Sequence, residues 1–133
     1  MKILIISRNA GEMQSPVISV RIIEYLEYLK DEGYLEYAVI SENEPIAIKM
    51  LTWADCVIFN KHFSDNAYHM AFLAKEKKIK IIYDIDDQIF AWPESHKSLY
   101  NRDASSFKRF VEIADMVTVE NIRICLLYTS RCV

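Results

Sequence analysis

Apolar residues in this chain fall into short β-branched runs, and between the runs they recur every three or four positions. The first run, Ile3-Leu4-Ile5-Ile6, sits within Lys2–Ser7 and reads as an opening strand. Tyr37–Ser41, Asp55–Asn60, Ile79–Ile85 and Asp115–Val119 read as further strands. Ile22, Tyr25, Leu26 and Leu29 lie at i, i+3, i+4 and i+7, the spacing of one helix face turned inward. Ser15-Pro16 opens that helix and Gly33 ends it. Pro45–Leu51 predicts a short helix. Ser64 or Asp65 caps the next, with Tyr68, Ala71 and Phe72 inward and Lys75, Lys77 and Lys78 at its basic end. Asp103 or Ser105 starts a last helix with Phe107, Phe110, Val111 and Ala114 inward, after a polar loop that contains Trp92-Pro93.

Strands alternating with helices at this spacing imply βαβ units. The expected fold is α/β: a Rossmann-like parallel sheet of about five strands with helices on both faces. With 133 residues, 52% of them hydrophobic and two glycines, the chain is long and apolar enough for one real core.

A net charge of −3 and the lack of a basic stripe argue against nucleic acid as a partner. No apolar run approaches the roughly 20 residues of a membrane span. The apolar start is too short for a signal peptide and lacks a cleavage site. The expected location is the cytoplasm, with peripheral contact at the inner membrane face left open. Cys56, Cys125 and Cys132 make no metal or redox motif.

Candidate chemistry gathers at the expected carboxyl ends of the strands, where open α/β sheets bind ligands. Ile79–Ile85 runs into Asp84, Asp86 and Asp87, and packed like charges are costly unless put to use. Three readings stand: a divalent cation, sugar hydroxyls or a basic partner, and capping of the following turn. The loop after the first strand holds Arg8, Gly11 and Ser15, with Gly11 permitting close backbone approach to a phosphate. It has no G-x-G-x-x-G and no P-loop, which argues against a dinucleotide site. His62 follows the third strand at the same edge and could serve as donor or base, or lie on the surface. A receiver domain would need acidic residues after the first strand, where Ser7-Arg8-Asn9 stands.

Four segments together resemble the N-terminal half of a GT-B glycosyltransferase, of the bacterial group 1, family-4-like kind. They are Met1–Arg8, Ala54-Asp55-Cys56-Val57-Ile58-Phe59, Lys80–Asp87 with its Y-D-x-D-D pattern, and Ala114-Asp115-Met116-Val117-Thr118-Val119. The resemblance implies an acceptor-side domain facing a donor-binding half across a cleft. It implies sugar transfer with no metal and no cofactor beyond a nucleotide-sugar co-substrate. The acceptor would be a glycan or a lipid-linked sugar. Arg8, Gly11, Ser15, His62, Asp84, Asp86 and Asp87 then become cleft candidates. Two other readings remain open: a complete flavodoxin-like binding or signalling module, and a metal-dependent GT-A enzyme built on Asp84, Asp86 and Asp87.

The last nine residues, Cys125–Val133, match the translation of two sequencing-library transposon ends joined head to head, stop codon included. The expected natural domain is therefore 1–124, with 125–133 a scar and the donor half encoded further on. Such a fragment is expected to be inactive alone.

Overall fold

The computed structural model describes residues 1–8, 19–62, 64–85 and 104–120, with only the backbone of Ser19, Ala104 and Ser105. Five strands, β1 (Lys2–Ser7), β2 (Glu36–Ser41), β3 (Cys56–Asn60), β4 (Lys80–Ile85) and β5 (Met116–Val119), form one sheet in the order β2-β1-β3-β4-β5. Every pairing is parallel. The expected α/β architecture is what forms.

Parallel strands need crossovers, and here each is helical. A π-helical turn, Ser19–Ile23, runs into α1 (Glu24–Asp31) between β1 and β2. The others are α2 (Ala47–Leu51), α3 (Asp65–Glu76) and α4 (Ala104–Ile113). Strand side chains alternate between faces, so the sheet feeds two cores. Leu4, Ile6, Val57, Phe59, Ile81, Tyr83 and Ile85 pack against α2, α3 and α4. Ile3, Ile5, Cys56 and Ile58 pack against Ile22 and Leu26. Among the described helices, three thus lie on one face and α1 on the other. Burial pushes the Cys56 thiol up to about 11, aided by Asp115 and Asp55, as expected of a small core residue.

Local signals explain the boundaries. Ser64 caps α3, accepting the Ala67 N–H at 3.1 Å. Gly33 adopts φ 78° after α1, where its N–H reaches the Lys30 carbonyl and Tyr34 N–H the Leu29 carbonyl. Strands β3 and β5 begin one residue later than expected, because Asp55 and Asp115 serve as caps. Asp55 Oδ2 accepts the Lys2 N–H at 2.8 Å, and Asp115 Oδ2 accepts the Ile81 N–H at 3.0 Å.

Two inward positions need correction. Tyr25 is 69% and Phe72 50% exposed. Ile22 of the π turn and Leu26 of α1 are buried against the sheet, with Ile23 and Leu29 packed beside them, and the π turn just before Tyr25 leaves that ring outside. On α3 the small residues Ala67, Ala71 and Ala74, with Met70, allow close approach and turn Phe72 outward. The expected helix start at Ser15-Pro16, the Trp92-Pro93 loop and the segment 125–133 lie outside the described residues.

Candidate functional site at the carboxyl edge

All five buried polar side chains among the described residues stand at or beside the carboxyl ends of strands: Ser7, Ser41, Asn60, His62 and Asp84. Register aligns them. Ser7 pairs with Ser41, Asn60 with Asp84, and Asp84 with Thr118. A polar row therefore crosses the sheet one step above an apolar core. It spans the β1/β3 boundary, where the first crossover leads one way and the later ones the other. That boundary is the topological switch point at which doubly wound sheets bind ligands.

Asp84 is held on every side. Its Oδ1 accepts from Arg21 Nη2 at 3.0 Å and Thr118 Oγ1 at 2.7 Å. Its Oδ2 accepts from Asn60 Nδ2 at 2.7 Å, and its backbone carbonyl accepts the Lys61 N–H at 2.9 Å. Of the three sequence readings, the structure shows Asp84 paired with a basic side chain and its carboxylate taken up by protein donors. Buried carboxylates persist only when paired and hydrogen-bonded, and this one ties β3, β4, β5 and the π turn together. Arg21, Asn60 and Thr118 were not singled out by sequence, because nothing local marks partners so far apart along the chain.

His62 is buried, not on the surface, at 1% exposure. Its ring lies edge-on to Phe59, with centroids 5.6 Å apart, and near Phe110 at 6.5 Å. The Tyr83 hydroxyl donates to its carbonyl at 2.7 Å. Glu42 Oε2 approaches Nε2 at 3.9 Å, too far for a direct hydrogen bond. Neither ring nitrogen completes a hydrogen bond. Burial drives its pKa down to about 3, and the nearby Arg8 charge adds to this against weak backbone contacts from Ser7 and Asn60. The imidazole is neutral at physiological pH, with proton-accepting capacity unused.

Glu42 is held in turn by Ser64 Oγ, which donates to Oε2. The Arg8 carbonyl receives Ser41 Oγ and Asn43 Nδ2 at 3.4 and 3.1 Å. Between Asn60 and His62, Lys61 takes a left-handed φ of 50°. This kink turns the chain so that Asn60 reaches Asp84 while His62 enters the aromatic cluster on the other face. Strained backbone of this kind costs about 1–3 kcal/mol and collects at functional sites.

The structure therefore brings Arg8, His62 and Asp84 to one edge. Gly11, Ser15, Asp86 and Asp87 lie outside the described residues. Among the described residues no three His, Cys, Asp or Glu side chains gather to hold a metal ion. None of the described helices is long and apolar enough to cross a membrane. No protein-family model matches the sequence, and the curated proteins contain no significant match to it.

Proposed function

We propose that this chain is the acceptor-side domain of a glycosyltransferase that uses a nucleotide sugar, with its acceptor site on the carboxyl edge of the sheet. The observation that carries the reading is the collection of every described buried polar side chain at that edge. The neutral imidazole of His62, whose ring nitrogens complete no hydrogen bond, combines a donor and an acceptor of the kind that binds hydroxyl groups. The four-segment resemblance supplies the reaction class. On this reading the domain orients a glycan or lipid-linked hydroxyl, and a donor half outside these 133 residues brings the nucleotide sugar. The product of the intact gene should transfer labelled sugar from a nucleotide sugar, whereas residues 1–124 alone should not. An intact reading frame that closes without a second α/β half would contradict the proposal.

One observation favours a second reading. The order β2-β1-β3-β4-β5 is that of flavodoxin-like folds. A flavodoxin-like binding or signalling module would use the same edge without sugar transfer. Saturable binding of a flavin or nucleotide, with no response to glycans, would favour it.

A further inference from the structure

We propose that a groove beside Arg21 binds an amphiphilic anion: a small molecule with an apolar body and one phosphate or carboxylate group. The groove has a volume of about 360 Å³ and lies between α1 and the sheet. That is the size of small-ligand sites. Ile22, Leu26, Ile58 and Ile82 give it an apolar lining, and Tyr25 stands at its rim with 69% of its surface exposed.

Its polar end is Arg21, Asp84 and Thr118. Asp84, anchored by Asn60 and Thr118, fixes the guanidinium through Nη2. A guanidinium has five N–H donors, and this bond uses one. The Nε–H is buried without a partner, so donor capacity is left unmet, while 26% of the side chain stays exposed. The π turn that carries Arg21 is a rare geometry found mostly at functional sites. A pre-positioned arginine suits an anionic oxygen and loses little entropy on binding. Because Asp84 already balances the arginine's charge, recognition of the anionic group rests on the arginine's spare N–H donors, and the ligand's apolar body supplies much of the affinity. No sugar transfer is invoked, so this inference stands or falls apart from the glycosyltransferase reading.

Isoleucine-methyl NMR of the full chain tests it, with hexyl phosphate and benzoate as probes and hexanol and inorganic phosphate as controls. Either anionic probe should shift the Ile22, Ile58 and Ile82 methyls saturably, the tighter one showing whether chain phosphates or compact acids are preferred. Hexanol should bind at least about tenfold more weakly than hexyl phosphate, and inorganic phosphate should leave the methyls unmoved. Ile82→Trp, which fills the groove and leaves the Arg21–Asp84 pair intact, should abolish the shifts. Equal binding of hexanol and hexyl phosphate, no saturable shift with either anion, or undiminished binding to Ile82→Trp would overturn the proposal.

Discussion

Asp84 and His62 stand at the same edge of the sheet and act in different ways. The Asp84 carboxylate satisfies three donors from three elements. Asp84→Ala should cost about 3 kcal/mol in chemical denaturation, because it strands a partly buried arginine and a buried amide. Asp84→Asn should cost less, since it keeps one acceptor oxygen. His62 carries the opposite liability. Its folded pKa of about 3 lies below the ordinary 6.5, so between those values the unfolded chain takes up a proton that the folded one refuses. Stability is then complete above about pH 6.5 and falls as pH drops toward 3, by an amount on the order of a few kcal/mol. His62→Phe keeps a ring in the aromatic cluster and removes the titration. Its urea midpoint should change less between about pH 7 and pH 4.5 than that of the parent. An unchanged slope would show that His62 is not the titrating group. The sequence marked both residues by position, at strand ends. It could not show that one carboxylate was already spent, because Arg21 and Thr118 reach it from 63 and 34 residues away.

At the scale of elements, two of the segments that resemble a glycosyltransferase have a structural explanation. Ala54-Asp55 and Ala114-Asp115 each place an aspartate just before a strand, where it accepts a backbone N–H from the start of the adjacent strand. Asp115 also pairs with Lys75 and Lys80, at 3.1 and 3.8 Å. Burial works against its ionisation, but the Ile81 N–H and both lysines outweigh it and hold the pKa below the usual value. These motifs therefore speak for the fold more than for the chemistry, and the functional weight falls on the carboxyl edge. The cap at Ser64 was legible because capping is local. Ser64→Ala should cost about 1 kcal/mol by thermal or chemical denaturation. Gly33→Ala, at φ 78°, should also destabilise, by about 1 kcal/mol, although the site has open space for a methyl group. The facing of α1 and α3 was only partly legible. Apolar periodicity cannot foresee a π turn, or that alanines rather than Phe72 would meet the sheet.

For the whole molecule, strand and helix periodicity predicted a parallel sheet with helices on both faces, and five parallel strands form. Strand order was beyond that reading, since it depends on contacts between distant segments. The order found puts the ends of β1 and β3 side by side, which brings Ser7 and Arg8 near Asn60 and His62. On the proposed reading this edge receives a hydroxyl-bearing acceptor. Backbone-amide NMR of the full chain, titrated with a panel of oligosaccharides and a nucleotide sugar, tests it most directly. An oligosaccharide should give saturable shifts at Ser7–Arg8, Ser41–Glu42, Asn60–His62 and Asp84–Ile85, with the nucleotide sugar much weaker. Shifts confined to the amino-terminal edge around Lys2, Asp55 and Asp115, or none with any sugar, would contradict it.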